Sequence, residues 1–400
     1  MKKVFKIIVI AIAISLTMFL PVSKELVFCC KLIGQGVATA NEVDDIKSTL
    51  GITAKSSVLI EANTKKIIYG DNEHTKLAPA SMTKVMTMLI VMEDIVAGKI
   101  ALDDKVVISE YAASQEGSEC FLDAGESYML LDLLKAVAVA SANDACVALA
   151  EVCSGDEKLF VKRMNDRASE LGMRNTNYVN CTGLDASGHE STAYDLCLAM
   201  KELSKYSIIS DLGKTWVYDL EHKGGRVTNL TNTNRLIRNN PDCYMAKTGH
   251  TDNAGYCIVV YGKRAETNMI ACVMGQEESA VRFEEVTKLL NYGFTNFESI
   301  KLVDKFTSAG EVSVDGGKVT TIKYYPEEDV YGFQKKGGST GAQVNFLKSV
   351  DGIDAPISES VKVGVVEVYI DGEKVGEANL ITKDMVEEKG LKDIMQDLIA

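Results

Sequence analysis

The chain has 400 residues, 46% hydrophobic and 25% charged, an ordinary globular composition with enough length for two or three domains and a sizeable core. Its net charge of −13 repels nucleic acid and anionic lipid, so no nucleic-acid partner is expected. The four histidines, at 74, 189, 222 and 250, hold no pair at metal-ligand spacing and there is no CxxC, so neither a metal nor another cofactor is expected.

Residues 1–40 read as an export signal. Lys2, Lys3 and Lys6 precede an apolar run over 7–22, and Ala38-Thr39-Ala40 supplies a small-x-small site with cleavage after Ala40. The distance from the run to that site is long, which leaves a retained N-terminal anchor as the alternative. Phe28 before Cys29 is too bulky for lipid attachment. Export places the chain in the cell wall or on the outer face of the cytoplasmic membrane. Cleavage removes five lysines and one glutamate, takes the net charge to −17 and leaves eight of the 10 cysteines. Exported cysteines first suggest disulfides. A chain this long needs no staples, however, and Cys146, Cys257 and Cys272 sit in apolar runs, so mostly free thiols are expected.

Helical and strand patterns mix from 41 to 298. SSVLI at 56–60 and KIIY at 66–69 form a hairpin, and a helix apolar on every side starts at Ser81. Further helices are expected over 127–139, 143–153 and 156–171. Between 244 and 275 the pattern becomes three strands, YMAKTG, AGYCIVVYG and TNMIACVMG. Residues 303–382 read as a separate small β domain. Its hairpins are VSVDGGKVTTIKYY and VGVVEVYIDGEKVGEANLI, the second turning at Asp371-Gly372. In the tail, 383–400, Leu391, Ile394, Met395 and Leu398 share one helical stripe. Lys392 stands against Asp393 and Asp397, unlike the lysine-rich polar face of a membrane-surface helix. Docking on its own domain or fraying is therefore the favoured reading, and weak membrane-surface association is the alternative.

In ASMTKVMTMLIVM, residues 80–92, Lys84 falls inside an apolar helix. A buried ammonium costs several kcal/mol unless it is paired or loses its proton. Residues i and i+3 share a helix face, which puts the Lys84 amine within reach of the Ser81 hydroxyl. Pro79 just upstream sets that hydroxyl beside the positive end of the helix dipole. A lysine in apolar surroundings can act as a base near neutrality, so S-x-x-K is a nucleophile carrying its own base. Two further motifs follow: Ser141-Ala142-Asn143 at the head of a helix, and Lys247-Thr248-Gly249 on a strand. A K-T-G is expected only about 0.1 times in such a chain. Taken alone, Ser141 and Asn143 read better as an ordinary helix N-terminus, and Asp144 could be a capping acid. Arg282 could pair with Glu284 or Glu285 at the surface, and the His250 imidazole could be merely local.

In the order S-x-x-K, S-x-N, K-T-G the set is the signature of active-site serine enzymes that recognise penicillin and D-Ala-D-Ala peptides. The chain resembles a serine-type D-alanyl-D-alanine carboxypeptidase, a low-molecular-mass penicillin-binding protein. The likeness runs through PASMTKVMT, SANDACVALAE, GLDASGHESTAYDL at 183–196, KTGHTDNAGY at 247–256 and APISESVKVGVVEVYIDG at 355–372. The resemblance implies an α/β penicillin-recognising fold, in which an antiparallel sheet flanked by helices joins an all-helical subdomain, followed by a small all-β C-terminal domain. It also implies Ser81 as nucleophile, Lys84 as its base and Ser141 as proton carrier to the leaving amine. Asn143 would hold the substrate backbone, and the main-chain N–H groups of Ser81 and His250 the oxyanion. Lys247 would add positive charge beside Ser141, Thr248 and Arg282 would face the terminal carboxylate, and Gly249 would leave room for substrate. The implied partners are peptidoglycan stem peptides ending in D-Ala-D-Ala and, as covalent inhibitors, β-lactam antibiotics. A β-lactamase or a non-catalytic penicillin sensor are the rival readings. No E-x-x-L-N occurs, since Thr287 stands where Leu290-Asn291 would need the glutamate.

Overall fold

The structure is a computed structural model that describes residues 40–338, 341–370 and 372–397. Most of the leader therefore lies outside the described residues, as does Asp371. No helix among the described residues is long and apolar enough to cross a membrane.

Helix α1 (Ala40–Leu50) leads into β1 (Ser56–Glu61) and β2 (Ile67–Asp71). A 3-10 turn at Ala80–Thr83 opens directly into α2 (Lys84–Val96). Next come β3 (Lys105–Val107), α3 (Glu110–Ala113), β4 (Ser127–Met129), α4 (Leu130–Ala140), α5 (Asn143–Ser154), α6 (Glu157–Glu170), α7 (Ala193–Leu203) and α8 (Ser207–Gly213). A ribbon of β5 (Val217–Glu221) and β6 (Val227–Thr231), then α9 (Leu236–Asn239), precede β7 (Cys243–Thr251), β8 (Gly255–Arg264), β9 (Thr267–Gln276) and α10 (Ser279–Asn296).

The main sheet has the order β2-β1-β9-β8-β7 and is antiparallel throughout. Both of its faces are covered, which is why its strands read as unbroken apolar runs. Val259, Ile270 and Cys272 enter the core shared with the helical subdomain, while Ile258, Val260, Ala271 and Val273 enter a second core under α10. Edge strand β7 lies against the 3-10 turn, so the two stretches that carry chemistry meet at the end of the sheet.

Two elements differ from the sequence reading. The helix expected over 127–139 starts only at Leu130, because Tyr128 pairs with Val106 in a short ribbon and Met129 is extended. Ser141 does not head a helix; it closes α4 in a left-handed conformation, φ 64°, and α5 begins at Asn143.

Strand β10 (Phe297–Val303) runs straight out of α10. After it come β11 (Gly310–Asp315), β12 (Thr321–Pro326), β13 (Val330–Lys335), β14 (Ala342–Lys348), β15 (Gly352–Asp354), β16 (Lys362–Ile370) and β17 (Glu373–Thr382). Six of these form the sheet β14-β16-β17-β12-β11-β15, and β10 pairs with β13. Ile370 pairs with Glu373, which leaves two positions for the expected turn. The all-β region is tied to the main sheet through Ser299, whose hydroxyl donates to Glu61 and whose main-chain N–H donates to Thr267 Oγ1. The tail docks on its own region through Lys389 N–H to Gly316 and Lys318 N–H to Glu387. Leu391 and Met395 of α11 (Leu391–Asp397) are exposed, and Leu398 lies outside the described residues.

Candidate active site

The nucleophile turn is strained where it matters. Ala80, buried and without glycine's freedom, sits at φ 46° immediately before Ser81, and the cost is borne because packing on both sides fixes the turn. From one side comes Gly249 of β7, where an added Cβ would stand 2.9 Å from Pro79 O and 3.2 Å from Ser81 N. That glycine admits the strand to the turn that carries Ser81. From the other side comes Gly183, at φ 88°, where a Cβ would stand 1.9 Å from Ala80 O.

Lys84 is fully buried at the first position of α2. Its Nζ lies 3.1 Å from Ser81 Oγ, 2.6 Å from Asn143 Oδ1 and 2.6 Å from Thr182 O. Burial lowers its pKa below the ordinary lysine value, against the opposing pull of Cys146, Cys181 and Asp144. Lys247 is also buried and donates to Ser141 Oγ at 2.8 Å and Thr248 O at 3.0 Å. Burial holds its pKa well below the ordinary value, with the nearby Lys84 charge adding to the effect. Two lysines and two serines thus meet where α2, the α4–α5 junction and β7 converge.

Asn143 is occupied differently from the expectation. Its Oδ1 accepts from Lys84 and its Nδ2 donates to Glu116 O at 2.6 Å, so its amide orients the lysine and the 116–118 loop. Asp144 is the capping acid of one sequence reading. It accepts from the main-chain N–H of Cys120, Leu122 and Ala145. Thr248 donates to Thr233 Oγ1 at 2.9 Å. The exposed His250 ring stacks on Tyr256 with centroids 4.1 Å apart.

Arg282 departs furthest from its expected place. It is buried on α10 and donates to Gly249 O at 2.8 Å and Cys257 O at 3.2 Å, and neither Glu284 nor Glu285 is its partner. Glu285 instead accepts from Thr53. The β8–β9 register shifts between Tyr256 and Ile258, and Arg282 reaches the Cys257 carbonyl at that irregularity. It therefore straps the K-T-G strand to its neighbour. All eight cysteines of the described residues are free thiols.

Sequence reasoning missed several participants. Thr182 acts through its carbonyl, which no residue type announces. Asn180 accepts from the main-chain N–H of Gly183 at 2.7 Å and shapes that loop. His189 accepts from Val179 N–H on Nδ1, so its proton sits on Nε2 and is given to Thr83 Oγ1 at 2.8 Å. Burial holds His189 down to about 4, which keeps it neutral. Of these residues only His189 falls in the GLDASGHES stretch singled out by the resemblance, and it carried no assigned role there.

Fold and site define an active-site-serine enzyme of the penicillin-recognising class. The chain belongs to the D-alanyl-D-alanine carboxypeptidase family, which its residues 42–278 match, and residues 297–388 match the family described as the penicillin-binding protein 5 C-terminal domain. It is similar to the D-alanyl-D-alanine carboxypeptidase DacF of Bacillus subtilis, with 40% identity over 343 residues, 86% of this chain and 88% of that one. DacA of Haemophilus influenzae is 31% identical over 346 residues, 85% of this chain and 87% of its own. Among solved structures, penicillin-binding protein 5 from Haemophilus influenzae aligns with TM-score 0.66 and 30% identity over 84% of this chain and 98% of its own. A peptidoglycan synthesis regulatory factor (PBP3) from Streptococcus pneumoniae aligns with TM-score 0.66 and 26% identity over 84% of this chain and all of its own.

Proposed function

We propose that the protein removes the terminal D-alanine from peptidoglycan stem pentapeptides through an acyl-enzyme on Ser81, and that penicillins acylate the same serine. The observation that carries this is the set of Lys84 partners. A neutral amine has two N–H donors and one lone pair. Asn143 Oδ1 and Thr182 O have no hydrogen to give, so they take the two N–H groups and leave the lone pair facing the Ser81 hydroxyl.

With Lys84 as base, Ser81 Oγ attacks the carbonyl between the two D-alanines. Gly249 brings β7 against Ser81 N, which supports the Ser81 and His250 main-chain N–H groups as the oxyanion pair. Ser141 Oγ already accepts from Lys247, so its own proton is available to the leaving amine. The Thr248 hydroxyl exchanges Thr233 for the substrate's carboxylate, with the Lys247 charge nearby. Water then hydrolyses the acyl-enzyme. The all-β region and the leader fit an exported enzyme at the wall or the outer membrane face. The lactamase reading gains nothing from Leu290-Asn291, since Leu290 is buried in the core under α10.

The test is D-alanine release from an N-acylated L-Lys-D-Ala-D-Ala peptide. The wild type should release it catalytically. Ser81→Ala and Lys84→Ala should release none while melting as folded proteins. A folded wild type that is acylated by penicillin and releases no D-alanine would replace the carboxypeptidase with a sensor.

A further inference from the structure

Two thiols that no step above uses lie beside Lys84. Cys146 of α5 directs its Sγ at Cys181, 3.9 Å from that residue's Sγ and 3.1 Å from its carbonyl oxygen. Both side chains are fully buried. Cys181 is coupled to the site through the main chain. Its carbonyl accepts from Thr87 Oγ1 of α2 at 2.7 Å, the next carbonyl, Thr182, holds Lys84, and Gly183 follows against Ala80.

We propose that Cys146 and Cys181 are an oxidisable dithiol that a small peroxide closes to a disulfide, and that closure switches the active site off by drawing the Thr182 carbonyl away from Lys84. The Cys146 sulfur attacks one peroxide oxygen, the O–O bond breaks, and the departing hydroxide becomes water on taking a proton. The resulting sulfenic acid is displaced by the Cys181 sulfur, whose proton leaves with the hydroxyl as a second water. Two thiols and one hydrogen peroxide thus give one disulfide and two waters. The sulfurs lose two electrons and the peroxide oxygens gain them.

The environment assigns the two roles. Burial by itself would raise the Cys146 thiol, but its Cys181 partner, with Lys84 adding to the effect whenever that lysine is protonated, holds it below the ordinary value, which suits the attacking sulfur. Burial and the Cys146 partner hold Cys181 well above its ordinary value, which suits the resolving thiol. Complete burial excludes bulky disulfides and leaves an oxidant near the size of water. A disulfide bond is about 2.05 Å long, so the sulfurs must close by roughly 2 Å. Helix α5 is held at its start by Asn143 and Asp144, whereas Cys181 lies outside helix and strand, so Cys181 is the side that moves.

The test treats the purified full-length chain with hydrogen peroxide and reads three quantities: intact mass, the cross-linked peptide and D-alanine release. Expected are the loss of two hydrogens, a peptide joining 146 to 181, and release lowered by about 10²-fold and restored by dithiothreitol. Cys181→Ala and Cys146→Ala, each checked by melting and penicillin labelling, should lose neither the hydrogens nor the activity. Cys197 and Cys272, also in contact, are the internal competitor. A cross-link between that pair, a 146–181 bridge that leaves release unchanged, or a reversible loss that persists in Cys181→Ala would each overturn the proposal. Because the bridge is read by mass, it can be scored even if the carboxypeptidase reading fails.

Discussion

Gly183→Ala tests whether the loop behind the nucleophile sets its geometry. The added Cβ would meet Ala80 O at 1.9 Å, Ala80 C at 2.3 Å and Ser81 N at 2.9 Å, all of them main-chain atoms that cannot rotate away. An ordinary carbon–oxygen approach is roughly 3.3 Å, so loop and turn must separate by more than 1 Å, and Thr182 O moves with the loop. The left-handed alanine costs about 1–2 kcal/mol, and weakening the Thr182 hydrogen bond to Lys84 about 0.5–1.5 kcal/mol. A misplacement of about 1 Å at a reacting centre is worth ~10²-fold in rate. We therefore expect kcat/KM for D-alanine release, and the rate of labelling by a fluorescent penicillin, to fall by about 10²-fold, with a melting temperature lower by roughly 5–10 °C. Gly188→Ala is the control. It has φ 80° in the same loop, but its Cβ would meet only Asn177 Nδ2 at 3.7 Å, so it carries the strain without the collision. Equal activities in the two variants would refute the claim that this contact positions Ser81.

His189 resists protonation in the fold, with its value lowered from 6.5 to about 4 by burial. As pH falls from 6.5 towards 4 the unfolded chain takes up a proton that the folded one refuses, so about 3 kcal/mol of stability should be lost across that window; His189→Gln should flatten the loss in denaturant titrations. Ser141→Gly and Ser141→Ala both remove the hydroxyl and should both slow turnover, but Gly should unfold about 1 kcal/mol later, because only Ala retains the left-handed strain at φ 64°. Arg282→Lys keeps the charge and breaks the strap between the Gly249 and Cys257 carbonyls. Stability should drop by about 1.5–3 kcal/mol, and an unchanged melting temperature with a raised KM alone would restore the carboxylate role. The acid limb of kcat/KM should have its midpoint below the ordinary lysine value of 10.5, because burial favours neutral Lys84, and a limb at 10.5 or above would contradict its role as base.

The elements easiest to read in the sequence were those with a strong period or composition. The all-round apolar stretch after Ser81 is the buried helix α2, and the three runs over 244–275 are β7, β8 and β9. The helix expected at 127 failed because local pattern cannot show that Val106 waits to pair with Tyr128. Arg282 shows the same limit at the site. Its residue type suits a carboxylate, and only the fold shows its Nη1 donating to two main-chain carbonyls. At Gly249 the sequence could not show that a Cβ would strike Pro79 O and Ser81 N, since that is set by β7 packing on the turn.

The sequence by itself determined the chemical inventory. A serine with a lysine three residues on, an S-x-N and a K-T-G supply the hydroxyls, amines and charge on which the proposed mechanism draws, because side-chain chemistry and helix spacing are local properties. Tertiary structure decided what orients them. The Thr182 carbonyl on Lys84, Gly183 against Ala80, His189 behind Thr83 and the Cys146–Cys181 pair join positions about 100 residues apart or more in the first three cases and 35 in the last. Their action runs largely through main-chain atoms and packing that residue identity does not encode, so no local pattern could place them.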